Sequence, residues 1–275
     1  MRHIPTIIFL ILTVPLVCLG QPGVSGYHMH TQSITGRLMS NSIVDVEGDP
    51  VSGQLFLATG KGVGVFIASI SEEPTGYIFT DSSWVGYTRD DGLGKGGVSA
   101  LEVKNGTVWV ATAFDTSTEV GRFTAGGGIA WANTLNSPLE WRWMPQPIDA
   151  ANDTAVEVPT TTNIQNITYD MAITDTAVWT ASFGGGLRKY SLTDSVWYNI
   201  PPDDQPFDAY GRYNHRAFSV IAADSLLFVG TAGGINKSAD GGETWVNYNF
   251  EDGISGNFVT ALGYQATSTD SIIWA

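Results

Sequence analysis

Val108-Trp109-Val110-Ala111-Thr112 is the clearest copy of a five-residue phrase that recurs along the chain. In each copy, an apolar residue and an aromatic residue precede an apolar residue or threonine and then small residues. The aromatic anchors of the copies, the last of which is incomplete, are Phe56, Trp109, Trp179, Phe228 and Trp274. They are 53, 70, 49 and 46 residues apart. Such periods are typical of a protein built from repeated structural units.

The sequence around each anchor repeats as well and predicts four strands per unit. In the third unit, an apolar stretch at residues 167–173 precedes the anchor and Gly184-Gly185-Gly186 follows it. The unit then closes with Val196-Trp197-Tyr198. No window of a dozen residues keeps the spacing of apolar residues that an amphipathic helix needs. The sequence therefore predicts an all-β fold.

Repeated four-stranded units predict a β-propeller. The predicted blades cover approximately residues 41–90, 91–145, 166–200 and 217–250, with a partial blade at 257–275. A β-sandwich is the alternative, but a sandwich does not require a unit that repeats four times. Because propellers close with whole blades, about four and a half units lead us to expect a truncated chain, a fragment of a larger protein.

The first residues predict export. Arg2 and His3 precede the apolar run at residues 7–12, which is the layout of a secretory signal peptide, here residues 1–20. Residues 21–40 form a separate N-terminal segment. Lipidation at Cys18, the only cysteine, is the alternative use of this region. No later segment is apolar enough to span a membrane, so we expect a periplasmic, cell-surface or extracellular protein.

The net charge of the chain indicates which classes of partner it can bind. The formal net charge is −14 at pH 7, which repels nucleic acid and anionic lipid. A protein or a carbohydrate is therefore the expected ligand, and nucleic acid is excluded. The sequence contains no cofactor motif, and we expect no cofactor.

One motif stands out from the repeat pattern, the stretch Ser238-Ala239-Asp240-Gly241-Gly242-Glu243-Thr244-Trp245. It matches every position of Ser-x-Asp-x-Gly-x-Thr-Trp and resembles the Asp-box, or BNR, repeat of sialidases, sortilin-type receptors and many other exported proteins. The resemblance implies a hairpin between the third and fourth strands of a blade. In that hairpin Ser238, Asp240, Gly242, Thr244 and Trp245 have structural roles, away from any active site.

The other units resemble two-component-regulator propeller repeats. The resemblance rests on the loop Asp91-Gly92-Leu93-Gly94, which recurs as Asp252-Gly253-Ile254-Ser255. Together the two resemblances cover roughly residues 40–275. They imply a propeller, and they say little about function because propellers serve many functions.

The most chemically varied stretch is the loop at residues 201–216. Propeller loops on one face usually carry function, so this loop is the candidate ligand-contact site. Its candidate residues are Asp203, Asp204, Asp208, Tyr210, Arg212, Tyr213 and His215. Two insertions, at residues 115–125 and 145–165, are either solvated loops or elements that shape the same face.

Candidate catalytic and metal-ligating groups are sparse. No arginine lies in the Arg-Ile-Pro-like motif that a resemblance to sialidases would require. The carboxylate pairs Asp90/Asp91 and Asp203/Asp204 could serve glycoside hydrolysis or bind calcium, although such pairs in loops usually face water. Zinc would need three or four converging ligands, and we predict no metal site.

The sequence thus predicts an exported β-propeller that acts as a binding or scaffolding module, within a larger surface or sensor protein. The alternative is an Asp-box-type glycoside hydrolase that acts on extracellular carbohydrate. Converging carboxylates near the propeller axis would favour the alternative.

Overall fold

A computed structural model of the protein describes residues 38–73, 76–149, 155–156, 161–223, 225–267 and 271–275. The predicted signal peptide and most of the predicted N-terminal segment lie outside the described residues. Within the described ranges, the regular structure consists of β-strands and three short 3-10 turns. The prediction of an all-β fold is therefore confirmed.

The strands form four antiparallel four-stranded sheets and one two-stranded sheet, and within each sheet the strands pair in sequence order. The first sheet contains β1 (Ile43–Gly48), β2 (Leu55–Thr59), β3 (Gly62–Glu73) and β4 (Gly76–Tyr87). The second contains β5 (Gly97–Lys104), β6 (Thr107–Thr118), β7 (Gly121–Asn133) and β8 (Arg142–Met144). The third contains β9 (Thr168–Ile173), β10 (Ala177–Ser182), β11 (Gly186–Ser191) and β12 (Trp197–Asn199). The fourth contains β13 (Ala217–Ala223), β14 (Leu226–Thr231), β15 (Gly234–Ser238) and β16 (Val246–Tyr248). The two-stranded sheet contains β17 (Gly263–Ala266) and β18 (Ser271–Trp274).

The first strands of successive sheets contact one another: β1 contacts β5, β5 contacts β9, and β9 contacts β13. The first strands therefore lie innermost and the fourth strands outermost. The core lies between neighbouring sheets, where apolar side chains from facing strands pack together. The anchors Phe56, Trp109 and Trp179 are buried in these layers, at 0%, 4% and 2% exposure. The repeated phrase marks the second strand because that strand is covered on both sides.

The alternation of strand directions gives the molecule two faces. One face carries the hairpins between second and third strands and the connections from each sheet to the next. We call it the loop face. The opposite face carries the other hairpins, including the Asp-box hairpin between β15 and β16.

Each innermost strand carries a β-bulge near its start. The pairing register shifts around Val44 in β1, Ser99 in β5, Tyr169 in β9 and Phe218 in β13. A bulge leaves one residue out of the ladder and redirects its side chain. The bulges therefore place four side chains at equivalent positions around the axis, next to the loop face.

Two segments differ from the strands expected from the sequence. Residues 115–125 do not form a loop; β6 and β7 continue through them as a paired hairpin that extends from the loop face. The expected first strand of the last unit, residues 259–264, begins only at Gly263. The preceding residues bond to the fourth sheet instead: the Val259 amide donates to the Thr231 carbonyl, and the Leu262 amide to the Ser219 hydroxyl.

Candidate functional site

The candidate loop at residues 201–216 is organised around His215, which is 1% exposed. Its Nδ1 accepts a hydrogen bond from the Asp208 amide at 2.9 Å, so the ring proton of the neutral form lies on Nε2. Nε2 then donates to Asp203 Oδ1 at 2.8 Å. The ring also stacks on Phe207, with centroids 5.6 Å apart. Because both ring nitrogens have partners, His215 has no nitrogen with which to activate a nucleophile or bind a ligand.

Asp203 is held as a carboxylate by its neighbours. Burial favours the neutral acid, but the hydrogen bonds from His215 and from the Gln205 amide outweigh it and lower the pKa of Asp203. The second oxygen accepts from Asn214 Nδ2 at 3.3 Å. Asn214 Oδ1 in turn accepts from Asn236 Nδ2 at 2.6 Å, in the fourth sheet. Asp203 therefore ties the loop to the propeller rather than facing a ligand.

The other candidate residues of the loop are either half-buried or exposed. Asp208 Oδ1 accepts from the amides of Tyr210 and Gly211, which makes it a turn residue. Tyr210 and Tyr213 are 54% and 66% exposed, and Asp204 is exposed as well. Arg212 is half-buried. The seven predicted contact residues are thus brought together in one loop, but only some of them can reach a ligand.

The insertion at residues 145–165 packs beside this loop. Asp149 and Arg188 form a buried ion pair, 2.5 Å between Oδ1 and Nη2, with side chains 1% and 4% exposed. Burial opposes ionisation of Asp149, but hydrogen bonds from Thr161 and Arg188 lower its pKa. Val156 pairs with Phe207 through an isolated β-bridge. Together, the described part of the insertion (145–149, 155–156 and 161–165) and the loop 201–216 form what we call the loop-face cap.

Beside the cap lies a partly exposed set of aromatic side chains. We call it the aromatic surface, and its members are Tyr169, Phe183, Tyr213, Phe218 and Phe258. Phe218 is the central ring, with centroid distances of 5.9 Å to Tyr169, 6.0 Å to Phe183 and 4.9 Å to Phe258. Tyr169 and Phe218 occupy the bulges of β9 and β13. The positions of these two side chains next to the axis could not be predicted, because no motif in the sequence identifies a bulged residue.

Four carboxyl groups of three innermost strands are near enough for their charges to act on one another: Asp45 and Glu47 of β1, Glu102 of β5 and Asp170 of β9. We call them the axial carboxylates. Burial raises the pKa of Glu102 to about 8, and the charges of Glu47 and Asp170 act in the same direction. Burial likewise raises the pKa of Glu47 and of Asp170. Lys104 Nζ donates to the Ile173 carbonyl at 2.7 Å and partly offsets the effect on Glu102.

The axial carboxylates were not predicted from the sequence, which pointed instead to the pairs Asp90/Asp91 and Asp203/Asp204. Asp91 Oδ2 accepts from both the amide and the hydroxyl of Thr88, at 2.7 and 3.1 Å. This is a capping box that closes a single 3-10 turn. Asp91 therefore has a local structural partner for its carboxylate.

In the Asp-box hairpin, Asp240 is the hub. Its Oδ1 accepts from the amides of Glu243 and Thr244, and its Oδ2 accepts from the Thr244 hydroxyl at 2.6 Å. The Ser238 hydroxyl donates to Oδ1 at 2.7 Å. The bonds from Thr244 are the largest cause that lowers the pKa of Asp240 to about 2. The carboxylate is held ionised by the turn itself.

The other two Asp-box positions connect the hairpin to its neighbours. Gly242 has a φ of +95°, and a Cβ there would lie 2.5 Å from Cη2 of Trp179, the anchor of the third sheet. Trp245 packs against the core between the third and fourth sheets, and its indole nitrogen donates to the Gly242 carbonyl at 3.2 Å. An open groove of about 570 Å³ runs from this hairpin to Asp203 and Asp204 along the outer strands.

The described residues, from 38 to 275 with the gaps given above, bear on whether the chain holds a metal or crosses a membrane. Across these ranges, no group of three or more His, Cys, Asp or Glu side chains is placed to hold a metal ion. Among them there is also no helix with the length and apolar character needed to cross a bilayer.

Comparison with known proteins identifies the fold. No protein-family model matches the chain, and no curated protein matches it. Among solved structures, the extracellular domain of a hybrid two-component system from B. thetaiotaomicron matches with 13% identity and a TM-score of 0.50, over 86% of this chain and 29% of that one. A second such domain from the same organism matches with 16% identity and a TM-score of 0.48, over 87% and 26%.

A WD40 β-propeller domain also matches, with 12% identity and a TM-score of 0.40, over 81% of this chain and 58% of that one. The chain spans less than a third of the length of the two-component proteins it matches. At these identities the likeness concerns the fold alone. The chain is a β-propeller repeat protein, as the repeated anchors predicted.

Proposed function

We propose that this chain is an exported binding or scaffolding module that engages its ligand with the loop face. The observation that carries the proposal is the loop-face cap. Two long connections, which could have been solvated, are fixed by the buried Asp149–Arg188 pair and by His215. Ordering long connections costs conformational entropy, and a rigid, irregular surface on one face of a scaffold is a common basis of recognition.

Export, and a place in a larger surface or sensor protein, are part of this proposal. The layout of residues 1–20 supports export. The solved relatives that are extracellular domains of two-component systems are consistent with a sensor. A protein or a carbohydrate is the proposed ligand class, and the Asp-box residues are proposed to serve the hairpin only.

The experiment maps where ligands bind without assuming what they are. The propeller is screened against a glycan array and a panel of exported proteins, and each hit is followed by hydrogen exchange. We expect protection of amides in the loop 201–216 and in the neighbouring turn at 183–185. Tyr210→Ser should weaken binding, while Tyr248→Ser, an exposed tyrosine on the outer strand β16, should not. Protection confined to the opposite face would contradict the proposal.

Glycoside hydrolysis is the second candidate function, and the axial carboxylates favour it. Hydrolysis by two carboxyl groups needs one that is protonated at the working pH and one that is ionised. Glu102, with its pKa raised to about 8, meets the first condition, and the two neighbouring carboxyl groups of β1 that act on it, Asp45 and Glu47, are the candidates for the second role. The cluster belongs to the innermost strands, and carboxylates near the axis are the feature that would favour hydrolysis over binding alone.

A glycosidase screen tests this candidate. Turnover, if Glu102 is the acid, should fall at least about a hundredfold in Glu102→Gln and should decline as the pH rises through about 8. Glu119→Gln, an exposed residue at the hairpin tip, should leave turnover unchanged. Turnover that survives in Glu102→Gln would remove the axial carboxylates from the mechanism, and turnover of any kind would displace the binding-only proposal.

The raised pKa of Glu102 also has a consequence for stability. A carboxyl group whose pKa is higher in the folded chain stabilises the fold fully below its unfolded value, near 4.5, and loses that contribution as the pH rises through about 8. We therefore expect the unfolding free energy to fall between these pH values. Glu102→Gln should flatten that part of the profile in denaturant titrations, and an unchanged slope would contradict the assignment.

A further inference from the structure

Of the aromatic surface, only Tyr213 belongs to a site predicted from the sequence. Its rings come from two bulges, one turn and two connections, so the fold gathers them from five places in the chain. Tyr169, Tyr213 and Phe258 are 43%, 66% and 64% exposed. Large aromatic side chains that cluster and stay exposed on a functional face commonly mark an interaction surface.

The geometry of the rings decides between the two proposed ligand classes. Phe218 is inclined by 38° to Tyr169, by 54° to Phe183 and by 45° to Phe258. The rings therefore make a faceted surface and not a flat platform. A sugar ring stacks on a flat aromatic face, whereas separate side chains of a protein can each take one facet. The tilts favour a protein segment.

One cationic side chain of the chain itself, Arg216, already lies over part of this surface. The Arg216 guanidinium lies 5.0 Å from the ring centroid of Phe183 and 4.9 Å from that of Tyr213. Ring faces attract cations through their quadrupole. Arg216 is held in this position by the carbonyls of Ala209 and Tyr210. The faces of Tyr169, Phe218 and Phe258 have no such cation among the described residues.

The charges around the surface complement a cationic partner. Asp170 follows Tyr169 directly, and its Oδ2 accepts from the Ser219 hydroxyl and the Val220 amide, beside Phe218. Asp170 thus places one carboxyl group beside the aromatic surface. The whole chain has a formal net charge of −14, which attracts basic partners over longer distances.

We propose that the aromatic surface docks a protein segment that presents lysine or arginine side chains. The segment's cations would lie over Tyr169, Phe218 and Phe258 and beside Asp170. The proposal rests on the proposed function, since it names the partner class of the same loop face. A neutral carbohydrate would gain nothing from this charge distribution.

Two phenylalanines of one connection provide a matched test. Phe258 belongs to the aromatic surface, and Phe250, eight residues earlier, is as exposed, at 66% against 64%, but contacts none of its rings. The probe is a synthetic peptide of alternating arginine and glycine, and its neutral analogue carries citrulline for arginine. Binding is measured by fluorescence anisotropy at low and physiological salt, with maltohexaose as a neutral sugar.

We expect the arginine peptide to bind and the citrulline analogue not to bind. Phe258→Ser should weaken the arginine peptide about fivefold or more, and Phe250→Ser should change it less than about twofold. Tyr169→Ser is the second variant should Phe258→Ser fail to fold, and circular dichroism verifies both. Equal effects of the two phenylalanine substitutions, or binding of the citrulline analogue, would overturn the proposal.

Two further outcomes separate the proposals. Binding of maltohexaose that depends on Phe258 would overturn the cationic partner and leave the loop face as the binding site. Absence of any loop-face protection in hydrogen exchange, with every probe and every screened ligand, would overturn both proposals.

Discussion

The connections on the loop face are built in two ways. The turns that begin at Thr88 and Asn249 are capped locally: each has a capping box and ends on a glycine with positive φ, Gly92 or Gly253. The turn at Tyr213–His215 has no side-chain cap. It is held instead by His215 and its long-range partners. Where the sequence repeats, the connection supports itself; where it departs from the repeat, the connection depends on the rest of the propeller.

The largest expected effect comes from the ion pair that holds the insertion. Arg188→Met removes the partner of a buried carboxylate, and breaking such a pair costs about 3–5 kcal/mol because the remaining charge stays buried. Urea denaturation measures the loss. Asp149→Asn with Arg188→Met should recover part of it. A loss below about 1 kcal/mol would mean that the insertion is not anchored through this pair.

His215→Ala should cost about 2–4 kcal/mol, by loss of packing on Phe207 and by leaving the Asp208 amide without its acceptor. Because the locally capped turns do not depend on His215, we expect the loss of stability to be confined to the loop 201–216. Hydrogen exchange should therefore speed up there and not in the turn that begins at Thr88. Equally faster amide exchange in both connections would contradict the distinction between a locally capped turn and a loop that depends on long-range partners.

The locally capped turns should respond alike to loss of their caps. Asp91→Ala and Asp252→Ala each remove the acidic half of a capping box and should cost about 1 kcal/mol. The glycines should differ: at Gly92 a Cβ would lie 3.2 Å from Cβ of Trp141, whereas at Gly253 nothing lies within 4 Å. Gly92→Ala should thus lower the melting temperature more than Gly253→Ala, and the reverse order would refute the packing argument.

The smallest expected effect is on the acid side. Because the pKa of Asp203 is lower in the folded chain, its contribution is present above the unfolded value, near 3.8, and is lost as the pH falls through the folded value. Protection of the loop 201–216, relative to the intrinsic exchange rate at each pH, should therefore decrease below pH 4. Asp203→Asn should show that lower protection already at neutral pH, and a profile identical to the wild type would contradict the assigned role.

The fold could be predicted from the sequence because its signals are local. A buried second strand must be apolar on both sides, so each unit repeats the same phrase around Trp109 or Trp179. The Asp-box bonds are local too, and Asp240 lies within four residues of each partner that it holds. The segment at residues 115–125 was read as an insertion because its polar residues hide the alternation of a solvent-exposed hairpin.

The functional groups could be predicted only in part. The loop 201–216 was found from its composition, but the burial of His215 depends on Phe207 and on a backbone amide that no motif reveals. The axial carboxylates Glu47, Glu102 and Asp170 come from three strands more than 50 residues apart in the sequence. They lie near one another only because the innermost strands of successive sheets have the same register, which brings equivalent positions of those strands together.

The contact between Gly242 and Trp179 couples the Asp-box hairpin of the fourth sheet to the third sheet. Repeat proteins unfold cooperatively to the degree that neighbouring units share contacts. Here the tip of one hairpin closes over the central aromatic ring of the adjacent sheet. Opening of the fourth sheet should therefore admit water to Trp179 and change its fluorescence, so that the two sheets report a single transition rather than two.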